Sequence, residues 1–249
     1  MHPVRLYSSI SLSSALKEES TLVVQITDAM AYIKGHIPNA LLVSPEEIMG
    51  VPGAGVGKLP SLDRINDLLS KIGYHPDKTI VAYDDEGGGW AGRFLWVLDC
   101  VGHSSLGYLN GGLVAWRAQN LPIEKNWHEV PVSKVQVELT TLPIASMDDV
   151  KSAIHDPQQL IWDARSKEEF AGLDKRALRG GHIPSAFNLD WSILRDSKNH
   201  YCLPSNLEQI LRDKDLLSGK KIITYCQAHH RSGLSYLVGR LFHLDIKAY

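Results

Sequence analysis

Short apolar runs rich in β-branched residues alternate along this chain with longer stretches whose apolar positions recur at helical spacing. Leu22-Val23-Val24-Gln25-Ile26, Thr79-Ile80-Val81-Ala82-Tyr83 and Lys221-Ile222-Ile223-Thr224-Tyr225 have the length and composition of buried strands. Ser61 to Ile72 carries the helical spacing and runs into Gly73, a residue suited to the left-handed turn after a helix. Two capping boxes predict further helix starts. One is Ser146-Met147-Asp148-Asp149; the other is Ser205-Asn206-Leu207-Glu208, whose helix is expected to stop near Ser218-Gly219. Strands alternating with amphipathic helices predict an α/β protein with mostly parallel sheets flanked by helices.

The alternation is written twice. Gly35-His36-Ile37-Pro38-Asn39-Ala40 returns as Gly181-His182-Ile183-Pro184-Ser185-Ala186, and Thr79 to Asp84 returns as Lys221 to Cys226, about 140 residues later. Asp28-Ala29, after the first run, is matched with Asp163-Ala164 after Leu160-Ile161-Trp162, and the second copy carries extra residues between Asp163 and Gly181. So long a period indicates duplication rather than a solenoid. The chain divides into two similar domains, residues 1–126 and 144–249, with 127–143 an ordered linker rich in Val, Thr and Pro. Beyond Tyr108 the first domain continues through Asn110-Gly111-Gly112-Leu113-Val114-Ala115-Trp116, a glycine turn and a helix. The repeat pairs Tyr108 with Tyr249, so the second domain is expected to lack its copy of that segment.

Composition narrows the function classes. The 249 residues are 44% hydrophobic and 22% charged, which suits a globular chain with room for two domains. A formal charge of −2 offers no basic footprint for nucleic acid or a membrane surface. No apolar run approaches the roughly 20 residues that span a bilayer, and Met1 to Tyr7 lacks a secretory pattern. Cys100, Cys202 and Cys226 are odd in number and far apart, so they build neither a disulfide framework nor a metal knuckle. Free thiols in a reducing, cytoplasmic setting follow, with no metal or cofactor required.

The candidate chemistry lies in Tyr225-Cys226-Gln227-Ala228-His229-His230-Arg231-Ser232-Gly233, where a predicted strand turns into a helix. Ligands of parallel α/β sheets bind beyond the carboxyl ends of strands. The first N–H groups of the following helix have no internal partner, so the turn is an anion cradle. A thiol there, beside a cation, is shifted toward thiolate. Arg231 supplies fixed charge, and His229 and His230 supply donors or pH-dependent charge. The alternative of a buried strand cysteine at 226 conflicts with the polar residues that follow it. Adjacent histidines do not share a helix face, which argues against a metal site. Cys100 reads as core, Cys202 as loop, and His36 and His182 as structural residues. Gly53, Gly55 and Gly57 lack the Lys-Ser/Thr of a phosphate loop. The first domain has Asp84-Asp85-Glu86 where the second has the cysteine, so it is expected to be inactive.

The two Gly-His-Ile-Pro-x-Ala motifs, Asp163-Ala164-Arg165-Ser166, Leu109 to Trp116 and the turn at Cys226 together resemble the rhodanese (sulfurtransferase) family in its tandem-domain form. The resemblance covers nearly the whole chain. It implies two rhodanese-like domains and a ping-pong transfer in which the Cys226 thiolate takes sulfur from a small anionic donor such as thiosulfate. The N–H groups of Gln227, Ala228, His229, His230, Arg231 and Ser232 would cradle the resulting persulfide, and Arg231 would help bind the donor. Cyanide or a thiol would accept the sulfur. The loop sequence matches neither the thiosulfate nor the mercaptopyruvate pattern of the family, although its positive charge favours thiosulfate. Family members often carry a substrate-binding arginine near the position of Glu169 or Phe170; here Lys175, Arg176 or Arg179 are the substitutes. Two rival readings stay open: a non-catalytic persulfide carrier or interaction module, and a cysteine phosphatase or arsenate reductase. The latter expects Cys-x5-Arg, one residue longer than the Cys226 to Arg231 spacing.

Overall fold

The computed structural model describes residues 3–18, 20–50 and 57–249; Gly53 and Gly55 lie outside the described residues. The first half runs β1 (Val4–Tyr7), α1 (Ser9–Ala15), β2 (Thr21–Ile26), α2 (Ala29–Lys34), β3 (Leu41–Val43), α3 (Leu62–Lys71), β4 (Thr79–Tyr83), α4 (Gly89–Cys100), β5 (Leu106–Leu109) and α5 (Gly112–Ala118). The second half continues with α6 (Met147–Ala153), β6 (Gln159–Asp163), α7 (Lys167–Phe170), β7 (Phe187–Asn188), α8 (Leu207–Asp213), β8 (Lys221–Tyr225), α9 (Arg231–Leu241) and β9 (Ile246–Ala248). Among the described residues the strands form two sheets, ordered β1-β5-β4-β2-β3 and β7-β6-β8-β9, with every ladder parallel.

Laid over one another, β7-β6-β8-β9 matches β3-β2-β4-β5, and the place of β1 falls to Pro143 to Ala145, where the linker enters the second domain. Ile144 bridges Ala248 in parallel; Ala145 N–H donates to the Ala248 carbonyl (2.8 Å), and Ala248 N–H to that of Pro143 (2.9 Å). The register corrects two pairings read from the sequence. Tyr108 stands opposite Ala82 and Ala248 opposite Thr224, so the counterpart of Tyr108 is Ala248 and Tyr249 matches Leu109. Likewise Gln25 and Asp163 occupy equivalent places, opposite Tyr83 and Tyr225. Asp28 instead caps α2 by accepting from Ala31 N–H, the task Ser166 performs for α7. The Asp-Ala dipeptides match by coincidence of two residues, not by position.

Local rules account for most helix ends. Gly73 closes α3 at φ +62, and the Ser146–Asp149 capping box forms in both directions. The box expected at Ser205–Glu208 does not form. Leu207 N–H donates to the Pro204 carbonyl, Asn206 becomes the cap without a side-chain bond, and α8 ends at Asp213 rather than near Gly219. Asp215 makes the turn at φ +59.

Residues 126–143 form no helix or strand but are strapped down. Val135 N–H donates to Ser70 Oγ (3.1 Å), Val137 N–H to Asn66 Oδ1 (3.0 Å) and Thr140 N–H to the Cys100 carbonyl (2.7 Å). Trp96 Nε1 holds the Pro143 carbonyl at 3.0 Å.

The two halves meet where α4 crosses α9. A helix this apolar around its circumference belongs in a core, and α4 is buried except at Trp90. Phe94 and Leu98 of α4 share one apolar cluster with Leu234 and Leu237 of α9. Backbones touch at the crossing: a Cβ on Gly92 would stand 2.2 Å from the Gly233 carbonyl oxygen. Lower down, buried Asp99 of α4 is paired with Arg240 of α9 and accepts from Tyr236 Oη at 2.9 Å.

Candidate active site

Both turns that precede the crossed helices are anion cradles, and the first is already filled. Asp84 is fully buried at the end of β4, and its Oδ1 accepts from the N–H groups of Glu86 (3.2 Å), Gly87 (3.0 Å) and Gly88 (2.8 Å). Its Oδ2 accepts from Ala91 N–H at 3.0 Å. Burial raises the Asp84 pKa and Glu86 adds to the rise, while the amide bonds oppose it. Leu113 N–H, from the glycine turn ahead of α5, closes on the Asp84 carbonyl at 2.9 Å.

Cys226 takes the place of Asp84 at the end of β8, half-buried. Ser232 Oγ donates to its Sγ at 3.3 Å, and His229 Nδ1 lies 2.7 Å from Ser232 Oγ. A serine that gives its single hydrogen to sulfur must receive one from the imidazole, so His229 is the Nδ1–H tautomer. Its Nε2 is buried without a partner among the described residues, in a ring packed edge-on to Trp96 at 4.5 Å. His229 adopts φ +52, a left-handed conformation that costs a non-glycine residue about 1 kcal/mol. The equivalent position in the first turn is Gly87 at φ +100; the turns then part, Gly88 at +100 against His230 at −87.

Burial holds the His229 pKa well below its ordinary 6.5, with smaller pushes from Arg93 and His230. Unfolded, the imidazole takes its proton near pH 6.5; folded, it resists until far lower pH. Stability from this residue is therefore full above that pH and drains away as pH falls toward the folded value. The melting temperature of the native protein is expected to drop more steeply between about pH 7 and 5 than that of His229→Asn. Asparagine tolerates the same φ and does not titrate. Parallel calorimetric curves would remove this account of His229.

The charges around the turn are not those the chain order suggests. Arg231, expected to be a free cation for the donor, turns to buried Glu169 in a two-pronged pair; its Nη2 donates to Oε1 at 3.0 Å. That pair holds the Glu169 carboxyl below its usual range. His230 pairs with Glu86 of the first turn and packs against Trp90 and Trp191 at 4.3 and 5.2 Å. Gln227 Nε2 donates to the Arg176 carbonyl at 3.0 Å, and the Ala228 carbonyl accepts from Arg93 of α4 at 2.9 Å. Arg93 also holds the carbonyl of Gly57, the one described glycine of the Gly53-Gly55-Gly57 series.

Two clefts reach Cys226. One, of about 430 Å³, is lined by Arg165, Arg176, Arg179, His182 and Gln227; the other, of about 610 Å³, by Lys58, Leu59, Trp96, Met147 and His229. Arg165 is tied to Asp163, with Nε–Oδ1 at 2.9 Å and Nη2–Oδ2 at 2.6 Å. Arg176 and Arg179 stand exposed on the insertion that the first domain lacks.

The remaining sequence candidates fall elsewhere. Cys100 is buried in α4 with its thiol pKa pushed far up by burial. Cys202 is half-buried against Asn110, and burial raises its pKa too, with a smaller push from Asp196. His36 and His182 do matching work: each Nδ1 meets a backbone carbonyl, of Tyr32 and Phe170, and each ring stacks on that residue's ring. Among the described residues no cluster of His, Cys, Asp and Glu is arranged to hold a metal, and no helix is long and apolar enough to cross a membrane. Sequence reasoning missed Arg93, Glu86 and Glu169 as site residues. For Glu169 a signal existed: Ser166-x-x-Glu169 is a capping box that fixes where the carboxylate stands.

The rhodanese-like domain pattern matches residues 10–119 and 146–245. The chain therefore belongs to the rhodanese family and carries two copies of its domain. It is 37% identical over 230 residues to a thiosulfate sulfurtransferase of Azotobacter vinelandii, covering 92% of this chain and 84% of that one. It is 36% identical over 232 residues, with the same coverage, to a thiosulfate sulfurtransferase of Pseudomonas aeruginosa. In fold it resembles SseA from Escherichia coli, a 3-mercaptopyruvate sulfotransferase, with a TM-score of 0.86 over 99% of this chain and 97% of that one at 23% identity.

Proposed function

We propose that the protein is a sulfurtransferase that moves sulfane sulfur from thiosulfate, through a Cys226 persulfide, to cyanide or a thiol. The observation that carries this reading is the filled cradle around Asp84. A carboxylate oxygen lies one bond beyond Cγ, and the outer sulfur of a persulfide lies one bond beyond Sγ. Asp84 thus stands as an internal template of the sulfur-loaded cysteine, an anion ringed by four amides. In the second turn the N–H groups of Ala228, His229 and His230 have no acceptor among the described residues.

In the first half-reaction the Cys226 thiolate attacks the outer sulfur of thiosulfate. The donor's S–S bond breaks, sulfite leaves with the electron pair, and Cys226 carries a persulfide anion. In the second, cyanide attacks the terminal sulfur, thiocyanate departs, and the electron pair returns to Sγ. This is covalent catalysis with an activated nucleophile, and the amides stabilise negative charge where it accumulates. Ser232, aligned by His229, donates to Sγ in both resting and leaving states. Committed to Glu169, Arg231 offers a phosphoryl group only its remaining N–H groups, with its charge already shared, which favours sulfur over phosphate chemistry.

Donor capture falls instead to exposed Arg179 at the cleft mouth and to Arg176, which is exposed although it shares its charge with Asp174 at 3.0 Å. Arg176→Gln and Arg179→Gln are each expected to raise the thiosulfate KM about two- to fivefold with kcat little changed, since exposed charges are each worth up to about 1 kcal/mol. Steady-state kinetics at low salt check this; unchanged KM values would place the donor elsewhere.

The test of the function is intact mass after incubation with thiosulfate, with peptide mapping and a cyanide chase. A gain of one sulfur at Cys226, released as thiocyanate, is the expected result. Gain without release would favour a carrier. No gain from thiosulfate would remove the proposed donor.

A further inference from the structure

We propose that Arg93, a residue of the first domain, is the counter-charge that holds Cys226 of the second domain as a thiolate. The inference rests on the reading of Cys226 as the nucleophile and concerns what makes it one.

Consider the charges that face the cysteine. Arg231 feels the charge on Cys226 but gives its fork to Glu169, His230 is paired with Glu86, and Arg165 is tied to Asp163. His229 is buried and bonded to Ser232. Tyr225 gives its hydroxyl hydrogen to Asp163, 2.6 Å away, and His182 is exposed and bonded to a carbonyl. Arg176 bonds Asp174 at 3.0 Å, and Lys58 and Arg179 are exposed at the rims of the two clefts, where water screens them. Arg93 is different in kind. It is fully buried, lies over the Trp96 ring at 5.6 Å, and its guanidinium hydrogen-bonds neutral carbonyls: Nε to Ile48 (2.8 Å), Nη1 to Gly57 (3.2 Å) and Ala228 (2.9 Å), Nη2 to Lys58 (2.8 Å). No carboxylate partners it among the described residues.

A buried cation without an anion is costly, and carbonyl dipoles offset only part of that cost. The Ala228 carbonyl it grips is two residues from Cys226, so ionisation of that thiol places the missing negative charge beside the guanidinium. Burial lowers the Arg93 pKa to about 10, and charge on Cys226 opposes the fall. Arg93 therefore remains a cation over the range in which a free thiol, with pKa about 8.5, titrates. The attraction is mutual: each charge stabilises the other, in a setting that water does not screen. The first domain, its own cradle filled by Asp84, thereby keeps a part in the chemistry of the second. It positions the loop through Ala228 and supplies charge across the α4–α9 crossing.

The experiment is the pH dependence of Cys226 alkylation by iodoacetamide in the full chain, followed by peptide mapping so that Cys100 and Cys202 do not contribute. The native protein is expected to show an inflection below that of a free thiol. Arg93→Gln is expected to raise it by about one unit or more, slowing alkylation about tenfold or more at pH below both inflections. Arg93→Lys keeps the charge and is expected to stay close to the native value. The double variant Glu169→Gln with Arg231→Gln, which leaves the net charge unchanged, is expected to move the inflection much less than Arg93→Gln does. A folded Arg93→Gln protein with an unmoved inflection overturns the proposal. So does a double variant that moves it as far as Arg93→Gln does. If Arg93→Gln fails to fold, melting temperatures of Cys226→Asp and Cys226→Asn decide: a permanent anion at 226 is expected to raise the melting temperature, and equal or lower values overturn it. Native Cys226 that alkylates no faster than a thiol peptide would instead defeat the nucleophile reading itself, a distinct outcome.

Discussion

Cys226→Ser is expected to take up no sulfur from thiosulfate and to transfer none to cyanide, a loss of at least about 10³-fold, because the proposed covalent intermediate cannot form. Serine keeps the size of the side chain and can still accept from Ser232, so the turn keeps its shape. What it loses is the nucleophile: a hydroxyl is a far weaker nucleophile toward sulfur than a thiol. Intact mass and thiocyanate release report the two half-reactions separately. Residual transfer within an order of magnitude of the native rate would mean that another group carries the sulfur; Cys202, half-buried with a raised pKa, is poorly suited to it.

A second large effect is expected far from the sulfur. Gly92→Ala adds one methyl where α4 and α9 touch, 2.2 Å from the Gly233 carbonyl oxygen and 3.0 Å or less from nothing flexible. Backbone must move, and overpacking costs about 1–3 kcal/mol, here near the upper end at about 3 because only backbone is met. For a chain of this size that is roughly 6–12 °C of melting temperature. Gly102→Ala is the control: nothing lies within 4 Å of the added Cβ, so only the strain of φ +72 is felt, about 1 kcal/mol. Because Arg93 follows Gly92 and the cysteine turn precedes Gly233, Gly92→Ala should also slow persulfide loading. Equal melting temperatures for the two variants would mean that the crossing yields more easily than its geometry implies.

The repeat made the fold legible. Strand and helix periods, the Gly73 stop and the Ser146 box all depend on neighbours within a few residues, and these were readable. At Ser205 the box gives way to a turn in which Leu207 N–H bonds the Pro204 carbonyl and Asn206 becomes the cap. Pairing Asp28 with Asp163 failed because two identical residues carry too little information to fix a register that Gln25 and Asp163 share in space. That Cys226 would open a turn from strand to helix was readable as well, from the apolar run before it and the polar residues after it. The charge balance of that turn was not. Whether Arg231 is free depends on Glu169, and what faces Ala228 depends on Arg93, residues brought together only by tertiary packing. Chain order lists charges without saying which cancel.

The linker has a consequence for motion. Its first part is strapped along α3 and its last residues serve as the edge of the second sheet, so it cannot act as a hinge. With backbones in contact at Gly92 and Gly233, the halves have no low-cost way to part. Sulfur transfer at Cys226 is then expected to proceed within one stiff frame, without opening and closing of domains.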